Sequence, residues 1–212
     1  MAGAVVLCAL RFEQRALQRH TRGIRIECCG PAAIGVRRWF DSQACPAGAV
    51  ILSGLAGSLT DQCPRGTAHV ITGVSAHDAE VLRPTLPLPD RSARGGRECI
   101  VVSVGQPVTT PAAKRALAQK TGAHLVDMES VAFAEAATQA KVRWAIVRGV
   151  SDGIDDELPA MSRDLVDERG RARALRIAAG VLRQPSLARD LHRLGRVSGA
   201  AMRAAARLIE AL

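Results

Sequence analysis

The sequence has no tyrosine, and aromatic residues make up only 2% of its 212 positions. Proteins that grip single-stranded nucleic acid stack bases on aromatic platforms, so that mode of binding is excluded. Lysine is scarce as well. Lys114, Lys120 and Lys141 are the three present, so the excess of 29 Lys+Arg over 20 Asp+Glu, a formal +9, is almost wholly arginine. No CxxC pair occurs among Cys8, Cys28, Cys29, Cys45, Cys63 and Cys99, and none of His20, His69, His77, His124 and His192 stands at zinc-finger spacing. Neither a disulfide frame nor a metal centre is expected, and a reduced cytoplasmic setting is the economical one. Met1–Leu10 is apolar but short, lacks a basic leader and meets Arg11 where a cleavage site would lie, so it reads as a first strand. The longest uncharged stretch, Ser42–Thr60, is broken by Gln43, Pro46, Ser53, Ser58 and three glycines. A membrane-spanning helix is therefore not expected there.

What is present is a 48% apolar content spread along the chain, enough for one sizeable core. Apolar runs at Ala4–Ala9, Ala49–Leu52, Ala68–Thr72, Ile100–Val104 and Trp144–Val150 read as strands, each ending in small or polar residues. Between them the clearest helix has Thr110 as N-cap, Pro111 in its first turn and Gly122 as its stop. A second helix runs from near Glu129 to Ala140. Continuous rather than alternating apolar strands, interleaved with helices, predict a three-layer α/β/α sandwich around a mixed, mostly buried sheet.

Residues 160–212 differ from residues 1–159, the expected α/β core. They carry 11 arginines against five acids, and read as a basic helical extension packed on the core. Leu194, Val197, Ala201, Ala205, Leu208 and Leu212 form one helical stripe, with Arg189, Arg193, Arg196, Arg203 and Arg207 beside it. Pro185 separates this helix from the one before. Such a helix either lies on an anionic bilayer or packs on its own domain with a solvated basic face.

Four groups of residues stand at the ends of apolar runs, where α/β sheets place their sites. Glu13 lies just past the first strand. Ser53-Gly54-Leu55-Ala56-Gly57-Ser58 follows the second run, and reads as a turn whose backbone can approach a ligand; it is neither a GxGxxG nor a Walker loop. Asp127-Met128-Glu129-Ser130 opens a helix, where acids are ordinary capping residues. Arg148 interrupts a buried strand that ends in Ser151-Asp152, and a buried cation needs an acid, for which Glu13 and Glu129 are the candidates. His77 and Asp78 read as a surface pair.

Taken together, Asp127-Met128-Glu129-Ser130 and Val147-Arg148-Gly149-Val150-Ser151-Asp152 resemble the nucleoside phosphorylase and nucleosidase superfamily, including the methylthioadenosine/adenosylhomocysteine nucleosidases. The resemblance extends to Cys8–Glu13 and to Gly54–Gly57. Asp152-Gly153-Ile154-Asp155-Asp156-Glu157-Leu158-Pro159, leading into the basic tail, looks like the hopanoid-associated phosphorylase branch, linked to removal of adenine from adenosylhopane. The resemblance implies cleavage of a ribosyl–base bond through an oxocarbenium-like transition state. Asp152 would protonate the leaving purine, a task favoured by burial, and Ser151 would orient it. Glu129 would hold the ribose hydroxyls, Met128 would pack beneath the sugar, Glu13 would activate water, and Arg148 would stand beside that water. No cofactor is implied, only water or phosphate as co-substrate, and a homo-oligomer is the family habit.

The sequence departs from the family in two places. Leu55 stands where a serine is common and no arginine precedes it, which removes two phosphate donors and favours water. Gly105-Gln106-Pro107-Val108 replaces the aromatic that packs on the base, leaving Val108 as the apolar contact. The competing readings are a soluble methylthioadenosine/adenosylhomocysteine nucleosidase, an inactive remnant of the fold and a nucleic-acid-binding protein. The acids gathered near Arg148 speak against the last.

Overall fold

The computed structural model describes residues 3–42, 48–75, 81–87, 98–159, 167, 169–173, 177, 179, 182–184 and 186–212. His77, Asp78 and Pro185 lie outside the described residues, and the boundary expected between 159 and 160 falls where the description is interrupted. In chain order the elements are β1 (Val5–Cys8), α1 (Arg11–His20), β2 (Arg25–Cys28), α2 (Ala32–Ser42), β3 (Ala49–Ser58), β4 (Ala68–Val70), β5 (Gly73–Ser75), β6 (Ile100–Ser103), α3 (Pro111–Thr121), β7 (Leu125–Asp127), α4 (Ser130–Gln139), β8 (Arg143–Asp152) and α5 (Ser186–Glu210).

One mixed eight-stranded sheet organises them. β1 lies parallel between β2 and β3, and β3 pairs in parallel with β8 along nearly its whole length. At its far end β3 also meets β7 antiparallel through Gly57 and Ser58, and β7, β6 and β5 continue as a parallel wing. The register between β3 and β8 shifts between Ala56 and Gly57, which sets Gly57 opposite Asp152. Such irregularities re-aim side chains and recur beside functional sites.

Strand alternation sends side chains to both faces, and both faces are covered, which is why the strands read as unbroken apolar runs. Val5, Leu7, Val50, Leu52 and Ile146 point into a core shared with Val36 and Trp39 of α2 and Phe133 and Ala134 of α4. Val6, Ile51, Ala145 and Val147 point the other way, onto Leu17 of α1 and Met202, Ala205, Ala206 and Ile209 of α5. The three-layer arrangement is therefore the one expected. α3 packs at the wing through Leu117 and Ala118 against Leu59, Val102 and Val126.

Two helix boundaries follow the sequence closely. Thr110 Oγ1 accepts the Ala113 N–H (3.3 Å), and Gly122 closes α3 in the left-handed region at φ 64°. The second expected helix is α4, with Glu129 as N-cap and Ala140 as C-cap. Ser53–Ser58 is different from the turn expected: it is the second half of β3, held by the β8 ladder on one side and by β7 at its end. Small residues there do not break the strand, because close packing and not a chain reversal is what they serve.

The apolar stripe of α5 is turned inward. Ala201 and Ala205 are fully buried, and Leu208 and Leu212 pack on the same core, while Arg189, Arg193, Arg196, Arg203 and Arg207 are exposed. Close approach of this helix to β8 depends on Gly149: a Cβ there would lie 3.0 Å from the backbone of Ala201. Among the described residues no helix is long and apolar enough to cross a membrane.

Candidate functional site

Three strand ends, β1, β3 and β8, together with β7 and the loop after β6, surround a cavity of about 220 Å³. Its polar lining consists of Glu13, Asp127, Glu129, Ser151 and Asp152; Leu10, Pro31, Val104, Pro107, Val108, Val126, Met128 and Leu158 make most of the rest. Leu55, Ala56 and Gly57 of β3 form one wall. Of the eleven residues expected at the site, nine line this cavity, while Gly54 and Arg148 do not.

Glu13 occupies the third position of α1 and is buried. Its Oε2 accepts the Leu10 N–H (2.9 Å), half of a capping box, since Leu10 has no side-chain oxygen to return the bond. Its Oε1 accepts the Leu55 N–H (2.8 Å) from β3. Burial pushes its carboxyl up from 4.5 to about 7; the Leu55 hydrogen bond opposes that push, and the negative charge of Glu129 adds to it. A carboxyl tuned close to neutrality is suited to taking a proton from a bound molecule.

Gly54 explains how Glu13 can sit so near a buried cation. A Cβ at this position would lie 2.8 Å from Arg148 Nη1 and 2.9 Å from Glu13 Oε1. Glycine is thus required by close approach, not by a turn.

Arg148 is fully buried beneath the cavity. Its Nη2 lies 2.5 Å from Asp127 Oδ2 and 3.4 Å from Glu129 Oε2, and donates to Ser130 Oγ at 3.2 Å. The expected partners were Glu13 and Glu129; Glu129 is one, but the closest acid is Asp127, and Glu13 acts on Arg148 only through its charge. Burial opposes the arginine's charge, and Asp127, Glu129 and Glu13 together hold it protonated. Only Nη2 of the guanidinium is taken up in this way; Nε is buried without a hydrogen-bond partner among the described residues.

Asp127 is the organiser that a capping role alone understated. Its Oδ1 accepts from Ser103 Oγ (2.6 Å), the Ser130 N–H (3.2 Å) and the Glu129 N–H (3.3 Å), and its Oδ2 binds Ser130 Oγ and Arg148. Glu129, so positioned, accepts the Ala32 N–H on Oε1 at 2.8 Å. Ala32 adopts φ 61°, a left-handed conformation unfavourable for a residue with a Cβ, which turns that N–H toward the site. Burial pushes the Glu129 carboxyl up, while Arg148 pulls it down.

Asp152 is also buried. Ser151 Oγ donates to its Oδ1 (2.5 Å), and Lys114 Nζ donates to its Oδ2 (2.6 Å). Lys114, completely buried, reaches in from α3 and spends its other two protons on the carbonyls of Gly153 (2.7 Å) and Asp156 (2.9 Å). Three acceptors for three ammonium protons satisfy the group fully, the condition under which a buried cation is tolerated. Sequence reasoning missed Lys114, whose neighbours on α3 are mostly exposed or half-buried. Gly57 again answers to close approach, because a Cβ would stand 3.0 Å from Asp152 Oδ2.

Comparison with known proteins agrees with this geometry at the level of fold. A family model described as the Phosphorylase superfamily matches residues 96–183, the stretch holding Lys114, Asp127, Glu129, Arg148 and Asp152. No curated protein matches the chain. Among solved structures, futalosine hydrolase of Helicobacter pylori strain 26695 is similar with a TM-score of 0.69 at 14% identity, covering 98% of this chain and 95% of that one. The 5′-methylthioadenosine/S-adenosyl homocysteine nucleosidase of the same species gives a TM-score of 0.70 at 15% identity, covering 98% and 96%. A nucleosidase of that name from Colwellia psychrerythraea, in complex with adenine, gives 0.65 at 14% identity, covering 97% and 92%. At such identities the likeness is one of fold.

Proposed function

We propose, from the match of a Phosphorylase superfamily model to residues 96–183 and the likeness of fold to nucleosidase structures along nearly the whole chain, that the protein cleaves the N-glycosidic bond between ribose and adenine in a 5′-modified adenosine. The observation that carries this reading is the convergence of Asp152, Glu129 and Glu13 on one small cavity, each held by its own donors. In this mechanism the proton held between Lys114 and Asp152 passes to N7 of adenine as the glycosidic bond breaks, so the base leaves neutral. Glu129 accepts hydrogen bonds from the ribose hydroxyls, which strengthen as positive charge grows on the sugar. Glu13 takes a proton from water as its oxygen bonds to the anomeric carbon.

Water is favoured over phosphate by the charge of the lining. Asp127, Glu129, Glu13 and Asp152 face the cavity, and among the described residues no lysine or arginine lines it. A phosphate dianion would meet carboxylates whose nearest cations, Lys114 and Arg148, are already paired with Asp152, Asp127 and Glu129.

For the 5′ substituent we favour a hydrophobic group, as in adenosylhopane, on the strength of the apolar remainder of the lining. Arg189, Arg193, Arg196 and Arg203 of α5, with Arg65, border an open groove of about 840 Å³ and offer a cationic face to an anionic bilayer. A soluble methylthioadenosine/adenosylhomocysteine nucleosidase is the second reading; it is favoured by the burial of the α5 apolar stripe, which leaves only charge to hold a membrane. Adenine release, followed by chromatography, separates the two: adenosylhopane in detergent and methylthioadenosine in buffer are each supplied with and without phosphate. Turnover of the lipid alone, independent of phosphate and lost in Asp152→Asn, is the expected result. Turnover of methylthioadenosine alone supports the second reading, and release of no base from either refutes the proposal.

A further inference from the structure

Away from this cavity, Cys63 in the β3–β4 connection, His69 on β4 and Cys99 just before β6 bring one ligand atom each to within 4.8 Å of the others. Their separation along the chain conceals the grouping. For three atoms that close, some point lies within about 2.8 Å of all of them (4.8 Å divided by √3). Zinc bonds of about 2.3 Å to sulfur and about 2.0–2.1 Å to nitrogen therefore need inward movements of under about 1 Å.

The hydrogen bonds around His69 prepare its ring. Thr67 Oγ1 donates its single proton to the Pro64 carbonyl (2.6 Å) and also lies 2.9 Å from His69 Nε2. With that proton committed, Thr67 can only accept from the imidazole, so Nε2 carries the hydrogen and Nδ1 keeps the lone pair. Metal-binding histidines are commonly oriented in this manner by an acceptor on the ring nitrogen that does not bind metal. Cys99 is fixed by its own backbone, which exchanges N–H···O bonds of 2.9 Å with the hydroxyl and N–H of Thr72. Both thiols are buried among Ile71, Val74, Val101 and Val150. The Cys99 thiol and His69 favour the thiolate of Cys63, against its burial.

We propose that Cys63, Cys99 and His69 form a site for a thiophilic divalent cation, zinc foremost, that clips the β3–β4 connection and β4 to the start of β6. On binding, both S–H bonds break and two protons go to solvent, while two metal–thiolate bonds and one metal–imidazole bond form without any change of oxidation state. Two thiolates neutralise the dication, as an apolar setting requires.

The test is titration of the full-length, metal-free, phosphine-reduced protein with cobalt(II), followed by displacement with zinc. One cobalt per chain with thiolate-to-cobalt charge-transfer bands is expected, bleached by zinc. Cys63→Ser and His69→Ala should each weaken binding by at least about tenfold, and Thr67→Val by about 10–100-fold. Cys28→Ser, in the separate cysteine group at the ends of β1 and β2, should leave the bands unchanged. Circular dichroism of each apo variant shows that it is folded. Absence of thiolate bands in the reduced wild type overturns the proposal, as does their survival at full affinity in folded His69→Ala and Thr67→Val. Because the readout is metal binding, it stands or falls independently of base release.

Discussion

Glu13→Gln separates the electrostatic cost of the buried carboxylate from its hydrogen bonds. In the folded protein this carboxyl titrates at about 7, against 4.5 when unperturbed. The folded state therefore holds a proton that the unfolded chain releases, so the contribution of Glu13 to stability falls as pH rises from about 4.5 to about 7 and is level above that. At about 1.4 kcal/mol per pH unit the fall attributable to Glu13 is about 3 kcal/mol. The glutamine variant lacks this slope but has a fixed penalty. Its amide offers one oxygen to two backbone donors, the N–H groups of Leu10 and Leu55, and the donor left facing the NH2 group costs about 1–3 kcal/mol. Urea unfolding at about pH 4.5 and about pH 8 should show the variant less stable in acid, then gaining about 3 kcal/mol on the wild type at the higher pH. In the wild type, kcat/KM should rise through about pH 7 as Glu13 ionises, a limb absent from the variant. A stability difference constant to within about 0.5 kcal/mol across that range would refute the reasoning, because a base with a raised pKa cannot be removed without changing the slope.

Three other substitutions probe the supporting contacts. Lys114→Met strips the cation from Asp152 and should destabilise the fold by about 3–5 kcal/mol. Adding Asp152→Asn should recover part of that loss in a denaturation experiment, since no unpaired charge is then left buried. Asp127→Asn removes the closest acid from Arg148 and should lower melting temperature and base release together, whereas a change confined to KM would contradict its role as organiser of Glu129. Gly149→Ala forces β8 from α5 and should cost about 1–3 kcal/mol by urea unfolding.

Much of the site was legible because its acids sit at strand ends or helix starts, positions that local pattern reveals. Asp152, Ser151, Glu129, Met128 and Glu13 meet as the motifs suggested. The need of Arg148 for a buried acid was also legible, although choosing Asp127 over Glu13 required the tertiary fold, which sets Asp127 Oδ2 2.5 Å from Arg148 Nη2. Lys114 was hidden for a different reason: its exposed and half-buried neighbours on α3 mark a surface helix, and only the tertiary fold shows its ammonium reaching three acceptors. The second half of β3 was misread because Gly54 and Gly57 signal a turn locally, whereas the parallel ladder with β8 spans them. Neither β2 nor α2 was foreseen, the first being four residues long with two charges and the second carrying a glycine in its apolar face.

The position of α5 has a consequence for how the protein comes into being. Every described strand and every acid of the cavity is synthesised before residues 186–210. Until then the sheet face formed by Val6, Ile51, Ala145 and Val147, later buried under Met202, Ala205 and Ile209, is without its cover. The nascent chain thus passes through a stage in which its acids are complete but one side of its sheet remains adhesive, and that stage is where it depends most on chaperones.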